Sequence, residues 1–286
     1  MRIVKISGGL GNQMFQYALM IGLRETFKEE VYADISSYKN YNLHNGLELE
    51  KIFPVSLKRA KRNPLLARKL TLSRSLNRYL PFICGDCQFE YPDFRYVDTI
   101  YDPRSKKHYF AGYWHNYQYI EPFRAEILKA FTFMIPLDQK NQEVIDPISQ
   151  QNSVGIHIRR GDYLKEAQYQ GVCTLDYYKK AIDLVQGVLK NPVYYLFSND
   201  MDWCKDNITP LINGSNVVYV DWNTGMDSYR DMQLMTYCKG LIIANSSFSW
   251  WGAFLNQREF HVIISPARWK NANYDLKIQM PEWTLI

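Results

Sequence analysis

Apolar and polar residues along this chain follow two rhythms, and the rhythm changes at glycines and prolines. A short strand-like run from Ile3 to Ser7 breaks into two glycines; from about Asn12 to Lys28 the apolar positions return at helical spacing, and Val31 to Asp34 is strand-like again. The chain therefore opens as a βαβ unit. A less regular middle follows, in which "YFAGYWHNYQYIEPFRAEILKAF" predicts a strand, a turn and a helix with Ile127, Leu128 and Phe131 on its apolar side. Residues 136–152 are polar, contain two prolines and are the expected boundary.

Beyond that boundary the alternation is cleaner. The strand "VGIHI" leads to a helix, "LDYYKKAIDLVQGVLK", with Thr174 as N-cap and Tyr178, Ile182, Val185 and Leu189 on one face. The strands "VYYLF", "VVYV", "LIIA" and "HVIIS" follow, separated by the acidic "SNDMDW", a helix around "SYRDMQLMTYC", and the loop "NSSFSWW" with a helix through Gly252 to Asn256. Such repetition predicts mostly parallel sheets covered on both faces. The expected architecture is α/β: two Rossmann-like domains, 1–145 and 146–286, facing each other across a ligand cleft.

Composition narrows the class. With 47% hydrophobic residues in 286 the chain is globular, and no stretch approaches the roughly 20 apolar residues of a membrane span. No signal peptide is read at the start, and a cytoplasmic protein is expected. Five cysteines, Cys84, Cys87, Cys173, Cys204 and Cys238, contain a single CxxC and no second pair for structural zinc, so they read as plain thiols. The net charge of +5 comes from one segment, Lys58 to Arg78, which holds eight basic residues and no acid. It is read as a solvated helical face; a sharper reading rests it on anionic lipid at the inner face of a membrane or on a phosphate-bearing acceptor. No nucleic-acid recognition motif accompanies the charge.

The chemistry concentrates in four stretches. In "VGIHIRRGDY", period two puts Ile156, Ile158 and Arg160 on one face and His157 with Arg159 on the other. His157 and Arg159 would then point at a ligand beyond the carboxyl end of the strand, while Arg160 braces the loop with Asp162 as partner. An arginine fork suits phosphate oxygens. In "ANSSFSWWGAFLN", Asn245, Ser246 and Ser247 are good N-caps, and the backbone amides at Ser246 and Ser247 would attract phosphate. "SGGLGNQMFQYA" begins a dinucleotide fingerprint with Asp34 at ribose distance, but Met14 stands where the third glycine belongs. "FSNDMDWC" carries Asp200 and Asp202, an acid-x-acid pair of the kind that holds a divalent ion and a nucleotide diphosphate.

Taken together, "GGLGNQMFQYA", "GYWHNYQYI", "HIRRGDY", "FSNDMDWC" and "NSSFSWWGAFLN", spread in order over nearly the whole chain, resemble the α-1,2-fucosyltransferases of glycosyltransferase family 11. The resemblance implies a GT-B fold, an inverting reaction that needs no metal or other cofactor, GDP-β-L-fucose as co-substrate and a galactose 2-hydroxyl in an oligosaccharide or lipid-linked glycan as acceptor. By similarity Arg159 meets the donor pyrophosphate, and His157 and Asp162 lie near the nucleotide and the reaction centre. Asn12 matches an asparagine that faces the reacting sugar. Arg160, Ser198, Asp200, Asn245, Ser246, Ser247 and Phe248 fall on the donor side, and Gly11, Gln13, Trp114 and His115 on the acceptor side. The stretch "GYWHN" departs from the usual pattern, in which a glutamine follows the aromatic pair.

In the mechanism these residues imply, Arg159 and the amides at Ser246 and Ser247 stabilise departing GDP while the acceptor hydroxyl attacks from the opposite face. Asp162, with Glu166 behind it, is the candidate base. Three rivals stay open: a metal-dependent glycosyltransferase using Asp200 and Asp202, a dinucleotide-dependent oxidoreductase built on the glycine turn, and a non-catalytic module that stacks glycans on some of the seven tryptophans.

Overall fold

The computed structural model describes residues 1–39, 43–61, 86–212, 216–259, 261–271 and 276–286, and of Asp162 the backbone alone. The chain divides into two compact units, Met1–Thr132 and Phe133–Ile286. The division falls after Thr132 rather than at 145. Residues 136–152, expected as the boundary, contain a helix of the second unit, because their polar residues are spent on long-range bonds within that unit.

The first unit holds a parallel sheet of β1 (Arg2–Lys5), β2 (Val31–Asp34), β3 (Cys87–Phe89) and β4 (Tyr109–Ala111) in the order β2-β1-β4-β3. Helix α1 (Leu10–Phe27) is buried at every position from Gly11 to Leu23 except Asn12, so its apolar surface runs round the cylinder instead of along one stripe. The short helices α2 (Leu49–Ile52) and α3 (Arg124–Ala130) pack against it. Lys58 and Arg59, the start of the basic segment, pair with Glu30 and Glu50. Most of that segment and Cys84 lie outside the described residues, while Cys87 is buried in β3.

The second unit is a six-stranded, wholly parallel sheet in the order β10-β9-β8-β5-β6-β7. Its strands are β5 (Ser153–Ile158), β6 (Val193–Ser198), β7 (Val217–Val220), β8 (Gly240–Ile242), β9 (Val262–Ser265) and β10 (Thr284–Leu285). Every residue of β5 is buried, which is why it reads as a continuous apolar run and not as an alternation. One face, Val154, Ile156 and Ile158, packs on Tyr178, Ile182, Val185 and Leu189, the predicted apolar side of α5 (Leu175–Val188). Thr174 caps that helix, its Oγ1 accepting from the Tyr177 amide at 3.2 Å.

Among the described residues the unit has four further α-helices: α4 (Gln139–Gln150), α6 (Met201–Asn207), α7 (Tyr229–Met235) and α8 (Ser247–Phe254). In α4, Asn141 exchanges side-chain hydrogen bonds with Asn223 at 2.8 and 3.0 Å and accepts one from the Trp222 indole at 3.1 Å. Asn223 also donates to Asp231 of α7 at 2.9 Å, and burial pushes the Asp231 carboxyl up to about 7. Helix α8 begins inside the stretch expected to be loop, and both Trp250 and Trp251 are fully buried core.

Candidate active site

In the second unit the chain runs from β5 outward through β6 and β7, then crosses back to β8 and runs out through β9 and β10. The carboxyl ends of β5 and β8 are therefore neighbours where the strand order reverses, the place at which open parallel sheets take ligands. Arg159 follows β5 directly, with its guanidinium carbon 5.7 Å from the centre of the Tyr163 ring. Tyr163 stacks on Tyr169 at 4.3 Å and donates its hydroxyl to the Asn245 carbonyl at 3.2 Å, tying the loop after β5 to the loop after β8. Asn245 is buried, donating to the Trp269 carbonyl at 2.9 Å and accepting from Cys173 Sγ at 3.4 Å. Burial pushes that thiol up to about 12, so it serves as packing and not as a nucleophile.

Ser246 caps α8, its Oγ accepting from the Phe248 amide at 3.3 Å. Its own amide donates to the Ala244 carbonyl at 2.7 Å. The expectation that the Ser246 amide meets a phosphate is thereby corrected, because a tight backbone turn already uses it. The Phe248 ring lies 5.7 Å from that of His157. His157 is buried with its Nδ1 unpartnered; desolvation first, and then the charge of Arg159, bring its pKa down to about 3. His157 is thus a neutral imidazole, and the positive charge in this group belongs to Arg159.

Arg160 belongs to a second group, after β6. Its Nε donates to Asp200 Oδ2 and its backbone amide to Asn199 Oδ1, both at 3.0 Å, and its guanidinium lies 3.8 Å over the Trp203 ring. The partner the structure gives Arg160 is Asp200; the expected partner, Asp162, has a side chain outside the described residues. Gly161 makes this turn possible: its φ is +29°, and a Cβ there would collide with the Asn199 side chain. Asp200 also accepts from the Trp203 amide at 3.4 Å as the cap of α6, and its own amide donates to Ser198 Oγ at 3.0 Å. Asp202 is exposed and paired with Lys205. Among the described residues no group of three or more His, Cys, Asp or Glu stands ready for a metal ion. The residues expected on the donor side therefore divide between a β5/β8 group with Arg159 and a β5/β6 group with Arg160.

The first unit carries its own cluster at the head of α1. Asn12 is half-buried between the buried Gly11 and Gln13, and its Oδ1 lies 2.9 Å from His115 Nε2. The Gln13 amide donates to the Gly8 and Gly46 carbonyls at 2.9 and 2.7 Å and accepts from the Glu48 amide at 2.9 Å. Gly11, Gln13 and Trp114, expected to face an acceptor, are buried and hold the cluster from behind. Glu48 is buried too; burial pushes its carboxyl up, and it accepts from Asn45 at 3.0 Å and from the Leu10 amide. The Leu10 amide, in the first turn of α1 where a dinucleotide would lay its pyrophosphate, is thus taken by a carboxyl group of the chain itself. Asp34, the expected ribose carboxylate, is held by the Tyr109 hydroxyl at 2.7 Å and the Ser36 amide at 2.9 Å. Both anchor points of the oxidoreductase reading are taken internally.

A family model described as glycosyl transferase family 11 matches residues 1–286. The chain belongs to that family. This family 11 glycosyltransferase is 33% identical to an α-1,2-colitosyltransferase of Escherichia coli, over 93% of this chain and 91% of that protein. It is 29% identical to the O-antigen biosynthesis glycosyltransferase WbnK of the same species, over 97% and 98%. With human galactoside α-(1,2)-fucosyltransferase 1 it shares 26% identity over 98% of this chain and 76% of that protein. Among solved structures it resembles the fucosyltransferase NodZ from Bradyrhizobium, with a TM-score of 0.52 at 13% identity over 89% and 93% of the two chains. It also resembles POFUT1 in complex with GDP, with a TM-score of 0.51 at 11% identity over 92% and 97%. The structural likenesses are of fold, and they put this family 11 enzyme in the GT-B class of parallel α/β glycosyltransferases.

Three members of these clusters were not singled out in the sequence. Tyr163 ends the motif "HIRRGDY", but nothing in its spacing says that its hydroxyl returns to β8. Glu90, whose carboxylate accepts from the amides of Tyr113 at 2.7 Å and His115 at 2.8 Å, stands 23 and 25 residues away from them. Glu48 acts on Leu10 from 38 positions along the chain, and only the third dimension joins them.

Proposed function

We propose that this enzyme transfers L-fucose from GDP-β-L-fucose, with inversion, to the 2-hydroxyl of a galactose-terminated glycan, in the synthesis of a bacterial surface polysaccharide. The observation that carries the reading is the group at the carboxyl ends of β5 and β8, where Arg159 stands beside Tyr163, the capped start of α8 and a neutral His157. In a single displacement the acceptor oxygen bonds to the anomeric carbon as the bond to the β-phosphate oxygen breaks, and the acceptor proton leaves to a base. Charge develops on the departing GDP, and Arg159 is the fixed cation offered to it. Asp162, with Glu166 behind it, remains the proposed base. The names of the relatives in O-antigen synthesis and galactoside α-1,2-fucosylation support the acceptor, the linkage and the setting.

One relative favours a second donor. Colitose is fucose without its 3-hydroxyl, and the colitosyltransferase likeness makes GDP-colitose the alternative co-substrate. A panel of GDP-fucose, GDP-colitose and other nucleotide sugars, with one galactose-terminated acceptor and EDTA throughout, followed by NMR of the product linkage, decides between them. Transfer of fucose to O2 with inverted configuration is the expected result. Loss of all transfer in EDTA would instead favour a metal held by Asp200 and Asp202.

A further inference from the structure

The turn "GYWHN", residues 112–116, is held in place at unusual conformational expense. Trp114 is fully buried at φ +64°, a backbone state that residues other than glycine seldom occupy, and its indole N–H is buried without a hydrogen-bond partner. Gly112 admits no side chain, because a Cβ there would collide with Glu90. The Glu90 carboxylate brackets the turn, one oxygen on the Tyr113 amide and the other on the His115 amide. What this construction displays is Tyr113, whose ring is stacked on His115 at 5.3 Å and 18° and which stays 40% exposed. His115 is fixed in turn by edge contacts from Phe15 at 4.7 Å and Phe94 at 5.3 Å and by its bond to Asn12. With Asn12 Oδ1 as acceptor, His115 Nε2 carries the hydrogen.

We propose that Tyr113 is the stacking platform for the acceptor sugar, with the Asn12–His115 pair along its edge as the polar partner. A pyranose presents an apolar C–H face rimmed by hydroxyls, and the axial 4-hydroxyl of galactose leaves the hydrogens at C3, C4 and C5 together on one face. An aromatic ring backed on one side, partly open, and bordered by a fixed amide and imidazole matches both features. A binding surface gains from being rigid before the ligand arrives, which is the return on the left-handed Trp114 and the double bracket from Glu90. The inference rests on the proposed function and on the family resemblance that puts Gly11, Gln13, Trp114 and His115 on the acceptor side.

The test compares wild-type enzyme with Tyr113→Ala and Tyr113→Phe. Acceptor affinity is read as KM in transfer and as Kd for a galactose-terminated oligosaccharide by ligand-observed NMR with GDP present; nucleotide affinity is read as Kd for GDP. Tyr113→Ala should weaken acceptor binding about tenfold or more, and Tyr113→Phe, which keeps the ring, should stay within about threefold, while GDP affinity holds in both. Acceptor affinity unchanged in Tyr113→Ala, an equal loss in Tyr113→Phe, or a loss that falls on GDP instead overturns the proposal. So does failure of the wild-type protein to bind the galactoside. Failure to use GDP-fucose in the donor panel bears on the donor alone and leaves this outcome readable.

Discussion

Arg160 and Asp200 are joined at 3.0 Å between the loops that follow β5 and β6, with the guanidinium laid on Trp203. The pair is partly shielded, and each member has a second task, Arg160 through its amide and Asp200 as a helix cap. Arg160→Lys loses the planar fork and the stacked face together. Urea unfolding of Arg160→Lys, Asp200→Asn and the double variant should give a coupling of about 1 kcal/mol, with single losses that do not add. A zero coupling would mean that the contact is incidental.

Arg159 has the opposite profile. Arg159→Ala should lower turnover by about 10²–10³-fold at saturating donor, the usual loss when one preorganised charge on a developing anion is removed. Lysine should rescue little, because a point charge does not reproduce the fork. Near-normal kcat in Arg159→Ala would remove Arg159 from the site.

Ser246→Ala deletes the side-chain cap that Ser246 gives α8. A stability loss of about 1 kcal/mol is expected, read as a lowered midpoint in thermal or urea unfolding. Glycine at the same position should cost less.

Asp231 supplies a pH dependence. Its carboxyl titrates near 7 when folded against an ordinary value of 3.8, so between those values the folded chain holds a proton that the unfolded chain has released. Its contribution is intact below about pH 4 and is lost as pH rises through 7, by as much as about 4 kcal/mol. Asp231→Asn should abolish that slope, so the variant gains on wild type between pH 5 and pH 8 in urea unfolding. Parallel curves would show that Asp231 is ionised in the fold. His157 runs the other way: its folded pKa is depressed to about 3, so the stability tied to its neutral form is present above about 6.5 and lost as pH falls.

Gly112→Ala pushes a methyl group into Glu90 and displaces the bracket under Tyr113 and His115. A loss of about 1–3 kcal/mol is expected from overpacking, with acceptor KM raised and GDP affinity kept. Equal acceptor KM in wild type and variant would mean that the bracket shapes stability alone.

Legibility in the sequence followed the range of the interactions. The strands of the second unit are buried runs bounded by turn residues, and "VYYLF", "VVYV" and the helix of Tyr178, Ile182 and Val185 lie where their local pattern puts them. Period two was the ground for expecting Arg159 and Arg160 in different places, and in the structure Arg160 meets Asp200 after β6 while Arg159 lies beside Tyr163. Helix α4 was not readable, since its polar Asn141 looks like linker until Asn223, 82 residues on, completes the pair. Helix α1 begins at Leu10 instead of Asn12, and the acceptor for the Leu10 amide is Glu48, a long-range partner that no local capping rule reveals. At Trp114 the sequence offered a large aromatic in a functional motif, and only the buried left-handed turn shows that its neighbour Tyr113 is the residue on display.

Glu48 also bears on how such chains are told apart. A glycine turn leading into a helix advertises an anion socket, yet here the Leu10 amide at its mouth already binds a carboxyl group of the chain, one that burial pushes toward its neutral form. The two halves of this enzyme share an architecture, but at that helix end the first already carries a polar partner of its own, so a glycine turn by itself is a poor guide to where an anion settles.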